Sequence, residues 1–240
     1  VSGCGPETAG RTLFEVSEPR SVEFFFDPIC PWAYQASLWI REVRDLTGLE
    51  VNWRFFSLEE INLTPGKKHP WERPWTYGWS LMRVGAHLRR QDPKLLDHWY
   101  LGIGHAFHDE ARQVFLPDQA QELVVELGLP ADTIDRAMRD PTTHDDVRAD
   151  HRFAVERLAA FGVPTLAFGD GPPIFGPVIA PAPTGRRALR LWELVCLWRE
   201  FPHLYEVRTP KRPEDYEHIA NTFEAYLTAR RWQSVQNPVA

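Results

Sequence analysis

With cysteines only at positions 4, 30 and 196, this chain of 240 residues has too few thiols, too widely spaced, for a disulfide framework. A reducing setting, the cytoplasm, is the expectation that follows. No apolar run approaches the ~18 residues that a membrane span needs. The first residues carry neither the basic stretch nor the apolar core of a secretory signal. Val1-Ser2-Gly3-Cys4 matches a bacterial lipoprotein processing box, which would make Cys4 a lipidated residue, but the apolar segment belonging before it is missing. Basic excess is missing as well. Lys and Arg total 27 against 33 Asp and Glu, a formal charge of −6 that argues against nucleic acid or an anionic membrane as main partner. There is no internal repeat and no low-complexity tract. Gly169-Asp170-Gly171-Pro172-Pro173 lacks the spacing and the following helix of a nucleotide loop, and reads as a hairpin turn. His105 and His108 stand three apart on an expected helix, yet no further Cys or His motif completes a metal site, so none is expected.

What the chain does have is aromatic bulk and a regular order of elements. Ten tryptophans fill a core or line a cavity for a flat, apolar ligand. Residues 1–20 lack periodicity and read as a flexible arm. Val22 to Phe26 reads as a buried strand, residues 31–47 as a helix that Gly48 ends, and the alternation of Val51, Trp53 and Phe55 as a second strand. Strand, helix and strand make a βαβ unit with parallel pairing. Helices are then expected over 75–91, 93–108, 118–127, 131–139 and 143–160, punctuated by Pro and Gly. Trp71, Trp75 and Trp79 recur every fourth residue, as a packed helix stripe would. Strands return over 164–168 and 172–178, and a core helix, with Cys196 buried in it, over 184–201. The expected organisation is an arm, 1–20, and a sheet domain split into 21–64 and 160–212. A helical insertion, 65–159, divides that domain, and a C-terminal helical extension, 213–240, follows it. The extension would show Tyr216, Ile219, Phe223 and Leu227 on one face, to dock on its own domain or to form a homodimer.

The chemistry concentrates where the first strand meets the first helix. Cys30 stands at a helix start, where unpaired backbone N–H groups and the helix dipole favour a thiolate. Pro31 suits the first helical position because its missing N–H costs nothing there. Far downstream, Val163-Pro164-Thr165 precedes an apolar strand, where proline is disfavoured unless it makes a special turn.

Taken together, Asp27-Pro-Ile-Cys-Pro-Trp32, the βαβ opening, the helical insertion, Gly162-Val-Pro-Thr165 and Phe175-Gly-Pro-Val178 resemble the DsbA-like branch of the thioredoxin superfamily. More narrowly, the chain from about Ser21 to Arg212 is similar to actinobacterial mycothiol-dependent nitroreductases. The resemblance implies a thioredoxin-like α/β fold of DsbA type with an inserted α-helical domain. It makes Cys30 the redox nucleophile, with Pro31, Trp32 and Ala33 beside it and Pro164 a cis-proline flanked by Val163 and Thr165. It also matches Asn62 and His108 to pocket positions. Tyr77, in the same region, is a further candidate to donate to a substrate. The implied co-substrate is a low-molecular-weight thiol, mycothiol or glutathione, with no tightly bound cofactor. The second substrate would be small and possibly aromatic.

Where members commonly carry Cys-Pro-Trp-Cys, this chain has Cys-Pro-Trp-Ala. Ala33 cannot resolve a mixed disulfide. Several routes stay open. A monothiol cycle could use a second small-thiol molecule, Cys4 could resolve from the arm, or Ala33 could be an engineered change that traps mixed disulfides. A non-redox thiol-dependent isomerase or conjugating transferase, like the kappa-type glutathione transferases, needs no second cysteine either. A non-catalytic thioredoxin-like binding module is the remaining alternative.

Overall fold

The computed structural model describes residues 19–169 and 171–230; Cys4 and most of the expected arm, Asp170, and residues 231–240 lie outside the described residues. Strand β1 (Ser21–Phe26) pairs in parallel with β2 (Glu50–Phe55), from Ser21 opposite Glu50 to Phe26 opposite Phe55. Phe24, Phe25 and Phe26 are all buried, as in a strand covered on both faces. Between the two strands runs α1 (Pro31–Thr47). Its bounds follow from local chemistry, since Pro31 opens the first turn. Gly48, at φ 78°, closes it in the left-handed region, its N–H donating to the Arg44 carbonyl.

A helical stretch separates β2 from the rest of the sheet. It contains α2 (Leu58–Ile61), α3 (Tyr77–Arg89), α4 (Pro93–Gly104), α5 (Pro117–Glu126), α6 (Thr133–Arg139) and α7 (Thr142–Arg152). The expected helix 93–108 is α-helical only to Gly104 and then widens into a π-helical turn, His105–Asp109; the expected helix 143–160 does the same at Phe153–Arg157. Trp71 and Trp75 correct the expected stripe. Trp71 sits in the short 3-10 turn Pro70–Glu72, and both precede the helix that carries Trp79, because Pro70 and Pro74 interrupt the run. Trp71 still packs on Trp79, at 5.2 Å between centroids, while the Trp75 indole N–H donates to the Phe115 carbonyl at 2.7 Å.

The chain then returns to the sheet as β3 (Thr165–Ala167), antiparallel to β1, and β4 (Ile174–Phe175), antiparallel to β3, giving the order β2-β1-β3-β4. β4 is shorter than the expected 172–178 because Pro172, Pro173 and Pro177 offer no ladder N–H. Helix α8 (Gly185–Trp198) packs on α1, with the Trp39 indole N–H donating to the Ala188 carbonyl at 3.0 Å. Last come α9 (Pro213–Thr222) and α10 (Glu224–Ala229).

Among the described residues the apolar interior forms two clusters. One joins the sheet to α1, α8 and part of the insertion, and the other fills the rest of the insertion and takes in Ala229 near the C-terminus. Asp150 of α7 ties the insertion to the sheet edge. It accepts from Arg54 Nε at 2.7 Å, from Arg89 at 2.5 Å and from the Phe55 backbone N–H at 3.1 Å. The expected apolar face of the C-terminal extension is also corrected. The helix breaks at Phe223, so Tyr216 and Leu227 face solvent while Phe223, Tyr226 and Ala229 turn inward. Among the described residues, no helix is long and apolar enough to cross a membrane.

Candidate active site

Cys30 caps the first turn of α1. Its Sγ accepts from the Ala33 backbone N–H at 3.5 Å and its thiol donates toward the Val163 carbonyl at 3.8 Å. The Val163–Pro164 peptide is cis. Thr165 fixes the same loop, donating its hydroxyl to the Gly162 carbonyl at 2.8 Å. Cys30, Pro31, Ala33, Val163, Pro164 and Thr165 are thus brought together and buried, with Trp32 half-buried above them.

One expectation is overturned at this point. The helix start was to favour a thiolate, yet burial pushes the Cys30 thiol up to about 12. The Ala33 and Trp32 N–H groups pull it down and the nearby Asp27 carboxylate pushes it further up, but neither matches the loss of water. Only 6% of Cys30 is exposed, so the closed site holds a thiol.

Asp27 carries no sequence signal beyond an ordinary Asp-Pro turn. It is fully buried and accepts from the Ile29 N–H at 3.1 Å and the Leu58 N–H at 2.7 Å, linking the loop before Cys30 to the start of α2. Burial lifts its pKa to about 6 against these two hydrogen bonds.

His108 is the second element of the site. The π-helical turn buries it flat on Tyr34, with centroids 5.0 Å apart and planes at 19°. Its Nε2 lies 3.0 Å from the Pro28 carbonyl, two residues before Cys30. A carbonyl only accepts, so Nε2 carries the proton and Nδ1 presents a lone pair, buried and without a partner. Burial lowers the imidazole to about 4, so it is neutral at ordinary pH. Tyr34 donates its hydroxyl to Asp109 Oδ2 at 2.5 Å. Its ring occupies the space that a Cβ on Gly104 would fill, at 2.1 Å, so only glycine allows this approach. His105, by contrast, is exposed and pairs with Asp109. The two histidines of the spacing argument therefore do not share a face.

The softer candidates make contacts of their own. Asn62 is exposed at the end of α2, its side-chain amide donating back to the Leu58 carbonyl at 2.8 Å. Tyr77 packs its ring on Phe115 at 4.3 Å, in the insertion core. Two aromatics of the C-terminal extension, Phe223 from its expected apolar face and Tyr226 from outside it, also reach these residues. Phe223 meets Trp32 edge-on at 4.7 Å, and Tyr226 lies 5.5 Å from both His108 and Phe107. Among the described residues no group of three or more His, Cys, Asp or Glu is placed to hold a metal ion.

Residues 29–209 match the family model Rv2466c-like, described as mycothiol-dependent nitroreductase Rv2466c. The chain belongs to this family. It is 53% identical over 215 residues to the uncharacterized protein Rv2286c of Mycobacterium tuberculosis, covering 90% of this chain and 93% of that one. Among solved structures it is similar to a 2-hydroxychromene-2-carboxylate isomerase, with a TM-score of 0.54 at 16% identity over 74% of this chain and 94% of that one. It is also similar to the probable DsbA oxidoreductase SCO1869 from Streptomyces coelicolor, with a TM-score of 0.51 at 23% identity over 80% and 92%. At such identities the likeness speaks for the fold alone, and the fold is the DsbA-like thioredoxin fold.

Proposed function

We propose that this member of the family is a thiol-dependent oxidoreductase working through one protein thiol, Cys30, with mycothiol or a similar low-molecular-weight thiol as co-substrate. Family membership supports thiol-dependent redox chemistry in general. Ala33 carries the single-thiol form of the reading. It stands where its backbone N–H meets Cys30 Sγ, the place of a resolving cysteine, and its methyl group can neither attack nor be attacked.

In the proposed cycle Cys30 gives up its thiol proton and, as a thiolate, attacks the small-thiol sulfur of a mixed disulfide that joins the small thiol to a substrate thiol. A mixed disulfide forms on Cys30, and the substrate sulfur leaves as a thiolate that takes up the proton. A second small-thiol thiolate then attacks the adduct, regenerating Cys30 and releasing a symmetric disulfide. With a small electrophile as oxidant, the two thiols supply two electrons and two protons and leave as the same disulfide. The Val163 carbonyl receives the Cys30 thiol hydrogen in the resting state. His108 Nδ1 offers an acceptor for a polar group of the ligand, and the rings of Trp32, Phe107 and Tyr226 suit a flat apolar substrate. A reducing cytoplasm would keep such a small-thiol pool available.

Intact-mass measurement after mixing with oxidised mycothiol or glutathione tests this. The expected outcome is a one-equivalent adduct on Cys30 that excess thiol releases, with Cys30→Ser abolishing both adduct and turnover. Full turnover by Cys30→Ser would overturn the reading. Isomerisation or conjugation without any adduct would replace it by non-redox thiol chemistry.

A further inference from the structure

The matched family segment stops at residue 209, yet the helices that follow lie on the Cys30 site. Phe223, 5% exposed, stands edge-on to Trp32, and Tyr226 packs against His108 and Phe107. These contacts converge on the loop of Cys30 from both sides, because Trp32 follows the cysteine by two residues and His108 is bonded to Pro28, two residues before it. Burial raises the Tyr226 phenol, and the Arg230 side chain hydrogen-bonded to it lowers it in part.

Among the described residues the attachment is narrow. Helix α9 buries no residue at all, and the stretch 201–212 leading into it is exposed throughout. Anchoring comes from Phe223, Tyr226 and Ala229. Two hydrogen bonds add to it, from Gln113 to the Ala229 carbonyl at 3.1 Å and from His218 to the Ala180 carbonyl at 2.9 Å. A unit with few buried contacts behind an exposed connection opens locally at far lower cost than the sheet beneath it.

Resting on the reading of Cys30 as the reactive thiol, we propose that α9 and α10 form a hinged lid over the thiol site, with Phe223 and Tyr226 as the wall that shapes the space for the second substrate. Opening lets water and the small thiol reach Cys30; closing excludes both and leaves the ligand against Trp32, His108 and the two lid aromatics. Substrate selection then depends on residues outside the segment that defines the family.

Labelling of the full chain with N-ethylmaleimide, followed at each cysteine by mass spectrometry across low urea concentrations, tests the lid. Cys196, buried in α8, is the internal reference for global unfolding. Cys30 is expected to react at least about tenfold faster than Cys196, with little dependence on urea, while Cys196 labelling rises steeply. Phe223→Ala is expected to speed Cys30 labelling about tenfold and to leave the Cys196 rate unchanged. A common urea slope at both cysteines would overturn the lid, since Cys30 would then open only with the whole chain. An unchanged Cys30 rate in Phe223→Ala would also overturn it. Should that variant unfold, shown by faster labelling at Cys196, the wild-type slopes decide alone. Turnover is read separately. Local opening over a Cys30 whose replacement leaves turnover intact would defeat the redox reading and not the lid.

Discussion

At Cys30 the helix start and the loss of water oppose each other, and the loss of water wins. Sequence shows the first effect, because Cys-Pro at a strand–helix junction is a local pattern. The second depends on distant aromatics and stays invisible until the chain is folded. Asp27 belongs to the balance, since its carboxylate raises the Cys30 pKa. Asp27→Asn is therefore expected to shift Cys30 ionisation to lower pH, read from thiolate absorbance in a titration; no shift would remove Asp27 from the site's electrostatics. Tyr34→Phe keeps the stacking on His108 and removes the bond to Asp109 Oδ2, which keeps His105 at 3.1 Å. The expected cost is about 1 kcal/mol, as a lower urea midpoint with unchanged slope. Sequence places Tyr34 only within the expected helix 31–47; its partner lies 75 residues away in a turn whose π-helical form no spacing announces.

Among the elements, those with local punctuation were legible and those set by packing were not. α1 runs from Pro31 to Gly48 as its end residues dictate. The tryptophan spacing misled because a period of four means nothing across Pro74. The extension misled for the opposite reason: its apolar period is continuous, but the break at Phe223 rotates the second half and exchanges Leu227 for Tyr226. Arg83 shows how the insertion is held. Buried in α3, it donates to the carbonyls of Ala137, Met138 and Asp140, each at 3.1 Å, and so satisfies the end of α6. Arg83→Met removes those donors while keeping bulk. The expected loss is about 2 kcal/mol by urea unfolding, since the charge-assisted bonds to three carbonyls go at once while the Ala137 and Asp140 carbonyls keep the Thr143 hydroxyl. A change within a few tenths would mean that water replaces the guanidinium.

For the whole molecule, acid is the weak side. His108, His144 and His151 are all lowered to about 4, chiefly by burial. His144 and His151 each use Nδ1 as an acceptor, from the Trp79 indole and the Ser57 N–H, so a proton there breaks a bond. In the unfolded chain these rings titrate near ~6.5. Between that pH and about 4 the unfolded state binds more protons, and stability falls with falling pH. Asp27 works the other way, because its folded pKa of about 6 exceeds its ordinary 3.8 and protonation stabilises the fold over that window. Three histidines outweigh one carboxyl. The unfolding free energy is expected to drop by about 2–3 kcal/mol per pH unit around pH 5 at most, as urea midpoints from pH 7.5 to 4.5 would show. A flat profile would mean that the rings gain water before the chain unfolds.

The small bonds of Cys30 Sγ carry a consequence for the adduct. In the reduced chain that sulfur accepts from Ala33 and donates to Val163, while Phe223 packs on the neighbouring Trp32. A bulky group on it removes the thiol hydrogen, crowds the cap of α1 and props the aromatics apart. Folding and sulfur exchange form a thermodynamic cycle, so stability that the closed chain gains while reduced is subtracted from the bond to the adduct. On the proposed single-thiol cycle, the mixed disulfide at Cys30 would therefore be an oxidising one. With no cysteine at position 33 the attacking sulfur comes from the small thiol, and reclosing of the chain adds to the driving force once that attack has released the adduct.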